Sequence, residues 1–231
     1  MGRLKVFCLM LFALLVVGGG FAGSAVALPS ILLLPEDAGK SLLLSSLTNT
    51  SVTRLETSAG LLTGAGVKVK LHFPNAATNL GLIEVTFTEV EKAETGKCKT
   101  ATATVEGEVI VPKTSFHLVF DSLTVLGVAA LILVPEFSAT CGAEATVSFK
   151  GNVLSLISPI SKEILVSEEL GSSTRCSATR GIPVDTSYWN GAGEKVKALL
   201  LGKLGLAFEE ACQNIAATVQ LKGNIMAEIM G

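Results

Sequence analysis

Four widely spaced cysteines are the residues with the clearest chemical potential in this sequence: Cys98, Cys141, Cys176 and Cys212. Gaps of 43, 35 and 36 residues separate them. A zinc site normally takes two ligands from one short segment, such as Cys-x-x-Cys, and these gaps provide no such segment. An even number of distant cysteines in an exported chain is typical of a disulfide framework. We therefore expect two disulfides and no metal, with free buried thiols as the alternative.

The pairing of these cysteines is not fixed by their spacing, because four cysteines allow three pairings. Cys98 follows a predicted strand that ends near Glu91, and Cys141 begins the strand after a long apolar run. A bond between these two would join two strand ends. Cys176 and Cys212 would then close the C-terminal segment.

Candidate catalytic groups do not form a recognisable set. The sequence has no Gly-x-Ser-x-Gly or His-Glu-x-x-His motif, and Ser158 precedes Lys162 by one residue too many for Ser-x-x-Lys. His72 and His117 lie in alternating segments, which is typical of exposed or hydrogen-bonded strand histidines. Asp121 would share the face of His117, but about 13 Å away at roughly 3.3 Å per residue. We expect no catalytic residue and no cofactor, and therefore no enzyme.

Acidic residues cluster in two places without the spacing of a known site. A glycosidase needs two carboxylates across a cleft, and a calcium loop needs alternating Asp and Asn ligands. We interpret the acidic residues as a solvated sheet face. They are Glu84, Glu89, Glu91, Glu94, Glu209 and Glu210.

The only tyrosine and tryptophan, Tyr188 and Trp189, stand together before Asn190-Gly191, a strong turn signal. With aromatic residues at 5% of the chain, a sugar-stacking face or a single-strand nucleic-acid platform is not expected. We predict a hairpin with one ring in the core and the other outside. The alternative is that Tyr188 and Trp189 form a small surface contact patch.

The segments that position these residues are predicted to be strands, because apolar and polar residues alternate along them. Gly, Pro, Asn and Ser separate one such segment from the next. The pattern predicts a mainly β fold, an antiparallel sandwich or barrel-like domain with at most one or two short helices. Leu123 to Val134 is predicted as a strand buried on both faces, with a buried helix as the alternative. Helical turns are allowed near Ala38 to Leu43 and in Phe208 to Ala216. The clearest strands are Val67 to Phe73, Ile83 to Val90, Gly107 to Pro112, Ser115 to Ser122 and Ala145 to Ile157.

The N-terminus has the pattern of a secretory signal. Arg3 and Lys5 precede an apolar run from Val6 to Val17, which contains Cys8, and Ala25 to Ala27 supplies small residues for cleavage. The run is shorter than the roughly 20 residues that span a bilayer. We therefore expect a signal peptide over 1-27, one β-rich domain over 28-231, no transmembrane segment after cleavage, and a secreted or cell-envelope location.

The net charge and composition limit the classes of partner that the protein is expected to bind. The net charge of −2 gives no basic surface for nucleic acid. Charged residues are only 16% of the chain and apolar residues 49%, which predicts a large core or some apolar surface.

Several short segments carry a resemblance: SATCGAEATVSFKGNV, SPISK, YWNGAGEKVKALL and GLAFEEAC. Together with the signal pattern they resemble a family of uncharacterised secreted β-rich proteins of some soil bacteria. The resemblance implies export and a disulfide-tied β domain, and it brings no activity, ligand or site residue.

Two functions remain open from the sequence. One is an exported, non-enzymatic structural or interaction module at or outside the cell envelope. The other is a carrier of an apolar ligand such as a lipid, indicated by the low charge and the apolar stretch after Leu123. A folded interior with no cavity larger than a few methyl groups would exclude the carrier.

Overall fold

The computed structural model describes residues 28–33, 42–46, 52–74, 78–122, 127–143, 145–158, 167–172, 176, 186–221 and 227–230. Its elements are strands, joined by turns and short irregular segments. In chain order they are β1 (Ser30–Leu33), β2 (Leu42–Ser46), β3 (Thr53–Thr57), β4 (Gly60–Gly64), β5 (Gly66–Phe73), β6 (Leu80–Thr88), β7 (Glu91–Lys92), β8 (Gly96–Thr100), β9 (Val109–Asp121), β10 (Val128–Cys141), β11 (Ala145–Ser158), β12 (Ser167–Ser172), β13 (Ser187–Trp189), β14 (Lys195–Lys197), β15 (Leu200–Lys203), β16 (Glu209–Glu210), β17 (Cys212–Asn214), β18 (Ala216–Leu221) and β19 (Ala227–Met230).

Eight of these strands pair in a continuous ring, in the order β9, β10, β11, β12, β18, β2, β5, β6 and back to β9. Every pairing in the ring is antiparallel. The prediction of a mainly β, antiparallel fold is confirmed. β1 and β19 form a separate two-stranded pair near the two ends of the described chain.

The interior of the ring holds the largest apolar cluster, here called the ring core. Period-two alternation explains its membership, since alternate residues of β5 and β9 point inward and their neighbours point out. Phe73 and Phe116 meet edge to face with ring centroids 5.1 Å apart. The buried members are Leu44, Val67, Val69, Leu71, Phe73, Ile83, Phe116, Leu118, Val128, Ala130, Ile157, Ala217 and Val219.

A second sheet, β17–β3–β4–β7–β8, joins the ring at the C-terminal end of β10. β8 pairs with the end of β10, and β15 pairs with β11. The apolar cluster beneath this sheet, here called the end core, consists of Leu62, Val90, Cys98, Val109, Ala139, Cys141, Val147, Phe149 and Leu204.

A bulge in β10 lets this one strand serve both cores. The register with β11 shifts between Val134 and Phe137, so one extra residue is inserted in β10. Ile132 and Val134 face inward before the bulge, and Phe137 and Ala139 face inward after it. Without the extra residue the pleat would turn Phe137 outward.

The apolar run beginning at Leu123 is a strand from Val128 onward. Val128 and Ala130 lie in the ring core, whereas Ala129 and Leu131 pack on the outer face with Val119, Leu154 and Ala198. The predicted burial on both faces is therefore confirmed for Val128 to Leu131, and Leu133 beyond them is exposed. Residues 123–126 lie outside the described part of the chain.

The short helix allowed over Phe208 to Ala216 is wrong, because this segment forms β16 and β17. Cys212 lies opposite Glu56 on β3, and Leu201 lies opposite Glu210. These ladders satisfy backbone groups that a helix would have bonded locally, so tertiary pairing overrides a local helix preference.

The turn allowed near Ala38 to Leu43 is only partly described. Leu42 and Leu43 belong to β2, and residues 34–41 lie outside the described ranges, as does the predicted signal peptide over 1-27. No helix among the described residues is long and apolar enough to cross a membrane.

A candidate apolar pocket between the two cores

Two adjoining pockets lie where the ring core meets the end core, and together they are called the junction pocket here. Their cavity volumes are about 40 and 70 Å³, and both are partly open to solvent. Both pockets are lined by Leu55, Phe87, Phe137, Phe149, Gln213 and Ile215. The first adds Thr53, Arg54, Leu62, Thr63, Gly64, Val90 and Val109, and the second adds Val85, Val111, Ile132, Val134, Val153 and Leu200.

The lining is assembled from strands far apart in the chain. Leu55 comes from β3, Phe87 from β6, Phe137 from β10 and Phe149 from β11. Phe87 packs against both cores, and the rings of Phe137 and Phe149 lie with centroids 5.6 Å apart. The pocket is thus a gap in packing where two cores meet at the β10 bulge. A concave, mostly apolar space with few polar groups is typical of sites for small apolar ligands.

The Cys98–Cys141 disulfide closes the far side of the end core. The two cysteines lie directly opposite each other on β8 and β10, and both are fully buried. Of the three ways in which four cysteines can pair, the structure has the one that joins Cys98 to Cys141 and Cys176 to Cys212. Cys141 therefore fastens one strand end to another. Two disulfides are typical of a protein from an oxidising compartment outside the cytoplasm.

The Cys176–Cys212 disulfide covers a buried carboxylate. Glu56 is fully buried on β3, and its carboxylate lies 2.7 Å from the half-exposed Arg54 guanidinium. The Glu56 carboxylate and the sulfurs of Cys176 and Cys212 lie within 4.8 Å of one another. Metal ligation by cysteine requires a thiolate, and both sulfurs here are consumed in the disulfide. The Cys176–Cys212 disulfide therefore lies beside the Arg54–Glu56 ion pair.

The two histidines lie on ring strands, His72 on β5 and His117 on β9. His72 and His117 are half-buried, while their chain neighbours Phe73, Phe116 and Leu118 point into the ring core. The described residues bring neither histidine into a hydrogen-bonded set with an acid and a serine. Nothing in the pocket depends on them.

The first acidic cluster pairs with lysines on the surface. The Glu84 carboxylate accepts a hydrogen bond from the Lys113 ammonium at 3.0 Å and lies 3.8 Å from the Lys70 ammonium. The Lys97 ammonium donates a hydrogen bond to Glu89 at 2.7 Å. The hydrogen bond from Lys113 is the largest cause that lowers the pKa of Glu84 below its ordinary value. Burial, the next largest, opposes it, and the charges of Lys113 and Lys70 lower the pKa further. The predicted solvated sheet face is confirmed for these residues.

The second acidic pair lies on β16. Glu210 accepts a hydrogen bond from the Lys197 ammonium at 3.2 Å, and Glu209 accepts one from the Ser58 hydroxyl. Neither carboxylate faces the junction pocket. These acids join strand edges and do not form a carboxylate pair across a cleft.

Tyr188 and Trp189 lie on a hairpin that covers the outer face of β9 and β10. Tyr188 is half-buried against the outer apolar cluster, and burial raises the pKa of its phenol. Trp189 is 40% exposed. Asn190 closes the turn by accepting hydrogen bonds from the backbone N–H groups of Ala192 and Glu194. The predicted hairpin with one ring inside and one outside is confirmed, and the contact patch stays a prediction.

Sequence reasoning missed the residues of the junction pocket, Gln213 above all. Gln213 is buried at 7% exposure and lines both parts of the pocket. The helical interpretation of Phe208 to Ala216 hid the relevant signal. Read as a strand, ACQNI places Gln213 on the opposite face from its disulfide-bonded neighbour Cys212.

Comparison of the chain with protein-family models, with curated proteins and with solved structures finds no match.

Proposed function

We propose that this protein is an exported, non-enzymatic binding module that holds a small apolar ligand in the junction pocket. The single observation that carries the proposal is the pocket itself. Well-packed interiors contain few voids larger than a water molecule. The cavities of about 40 and 70 Å³ exceed the roughly 10–15 Å³ that one water molecule needs. Their lining of Phe87, Phe137, Phe149 and aliphatic side chains lacks packing contacts that an apolar ligand would supply.

The remaining parts of the proposal concern location. The charged, apolar and small-residue pattern of residues 1-27 supports a signal peptide, and the two disulfides agree with export. The envelope or the medium outside the cell is then the place of action. N-terminal sequencing of the protein recovered from a secreting host tests this part, with Leu28 expected as the first residue. An N-terminus at Met1 or Gly2 would contradict it.

The second candidate is a structural or interaction module that contacts a macromolecule through its surface. The exposed Trp189 on a rigid turn favours it, since exposed tryptophans are enriched where proteins bind one another. Tyr188 and Trp189 are the residues that would make the contact. This candidate needs no ligand inside the protein.

A fluorescence titration separates the two candidates. N-phenyl-1-naphthylamine, which brightens in apolar surroundings, is added to the unreduced protein. Saturable binding at about one probe per chain is expected, and V134F should weaken it about tenfold by filling the pocket. Val134 lines the pocket, whereas Val105 is 53% exposed and lines neither part of it.

V105F is therefore the matched control, because it makes the same substitution at a surface position. If V105F and V134F bind the probe equally strongly, the probe binds outside the junction pocket. No saturable binding to the wild-type protein would contradict the carrier function and favour the surface module. Thermal melts of all three proteins show that loss of binding is not loss of folding.

A further inference from the structure

The two disulfides differ in how easily a reductant can reach them. Cys98, Cys141 and Cys212 are fully buried, whereas Cys176 is partly exposed. Thiol–disulfide exchange begins when a thiolate reaches one of the two sulfurs, so access helps decide which disulfide reacts first. The Cys98–Cys141 disulfide has both members inside the end core. An external thiolate can therefore attack the Cys176–Cys212 disulfide, at Cys176, more readily than the other one.

The Cys176–Cys212 disulfide anchors a very short strand. β17 has three residues, and its ladder with β3 spans those three. The disulfide ties the first of them to Cys176, and the side chain of the last, Asn214, accepts a hydrogen bond from the Cys176 backbone N–H at 3.3 Å. A strand with so short a ladder opens locally at low cost, because few backbone hydrogen bonds must break. The covalent bond therefore contributes strongly to holding β17 in place.

The opposite face of the same strand forms a wall of the junction pocket. Gln213 lies between Cys212 and Asn214, and Ile215 follows directly; both Gln213 and Ile215 line the two parts of the pocket. Side chains alternate along a strand, so the disulfide lies on one face of β17 and the pocket on the other. A movement of β17 would therefore displace two residues of the pocket lining at once.

We propose that the Cys176–Cys212 disulfide is a redox switch for the junction pocket. Its reduction by a dithiol loosens β17 and lowers the affinity of the pocket for its apolar ligand. The Cys98–Cys141 disulfide stays oxidised and keeps the second sheet on the ring. The effect on the ligand rests on the proposed function, whereas the selective reduction of one disulfide does not.

The reduction proceeds as an exchange in two steps. A thiolate of the dithiol attacks the Cys176 sulfur, and the Cys212 sulfur leaves as a thiolate that takes up a proton. The second thiol of the dithiol loses its proton and displaces the Cys176 sulfur from the mixed disulfide, and Cys176 is protonated in turn. Two electrons pass to the protein, which gains two thiols, and the dithiol is oxidised to a cyclic disulfide.

Alkylation of the partly reduced protein tests the selectivity. The folded protein is incubated with increasing dithiothreitol, alkylated with iodoacetamide and digested, and the modified cysteines are identified by mass spectrometry. Cys176 and Cys212 are expected to be modified together at dithiothreitol concentrations about tenfold lower than Cys98 and Cys141, because exchange depends on access. Modification of all four cysteines at the same concentration would overturn the inference.

Probe binding tests the switch itself. At a dithiothreitol concentration that opens only Cys176–Cys212, the affinity for N-phenyl-1-naphthylamine should fall about tenfold, and reoxidation should restore it. C176S/C212S is the matched control, which should bind the probe as weakly as the selectively reduced protein and should not respond to dithiothreitol. If the variant does not fold, the reversible change in the wild-type protein carries the test. An affinity that selective reduction leaves unchanged would overturn the switch.

Hydrogen exchange distinguishes the switch from general unfolding. Selective reduction should lower protection in β17 and in its partner β3, while ring strands such as β5 keep theirs. Loss of protection throughout the ring would overturn the inference. Failure of the proposed function gives a different result, because the unreduced protein then binds no probe.

Discussion

At the scale of single residues, a surface ion pair contributes little to stability, whereas a constrained backbone position contributes more. Glu84 is bound by Lys113 at 3.0 Å and attracted by Lys70 at 3.8 Å, so its pKa is lowered in the folded protein. A lowered carboxylate pKa stabilises the fold above the unfolded value and stops doing so as the pH falls through the folded pKa.

We therefore expect E84Q to lower the free energy of unfolding at neutral pH by about 0.2–1 kcal/mol, as for other exposed ion pairs. The difference from wild type should disappear as the pH falls below 4.5, the ordinary value for glutamate, and through the lowered pKa. Urea unfolding over an acid pH series measures it. A difference that stays constant down to the lowest pH would contradict the assigned ion pairs.

Gly151 has a backbone conformation that residues with a side chain rarely adopt. Its φ is +114°, and a Cβ there would lie 2.2 Å from the backbone oxygen of Leu199. G151A should therefore destabilise the protein by about 2 kcal/mol or more, since both strain and a backbone clash result. G191A is the control, because a Cβ at Gly191 would make only an ordinary contact with Leu28. Equal melting temperatures of the two variants would contradict this packing of β11 against β15.

At the scale of elements, the disulfide between β8 and β10 holds the second sheet on the ring. It closes a loop of 43 residues and is fully buried. The double variant C98A/C141A should lose about 2–4 kcal/mol of unfolding free energy. Hydrogen exchange should show the largest loss of protection in β7 and β8. Uniform loss across the ring strands, with β8 no more affected than β5, would argue against this role.

The same scale shows how far local pattern predicts elements. The alternation in β5 predicts a strand because one of its faces lies on the ring core and the other on solvent. β9 and β11 alternate over part of their length, and the outer apolar cluster covers Val119 and Leu154 on their outer faces. β16 and β17 were ambiguous, since two or three residues are too few to display a period. β16 is extended because it pairs with β15, and β17 because it pairs with β3, which lies far away in the sequence.

At the scale of the whole molecule, the central feature is that β10 and β11 belong to two cores at once. The bulge between Val134 and Phe137 makes this possible and leaves the junction pocket beside it. No sequence pattern predicts such a pocket, because its walls come from β3, β6, β10, β11 and β17. The low charge and the apolar content indicated only that some apolar space or surface would exist.

The measurement that tests the ligand-binding account most directly is a native mass spectrum of the protein purified without reduction or delipidation from a secreting host. The account predicts a wild-type mass that exceeds the chain mass by a single small adduct, which leaves on collisional activation. The adduct should be retained by V105F and lost by V134F. A bare wild-type chain that also binds no added N-phenyl-1-naphthylamine would contradict the account.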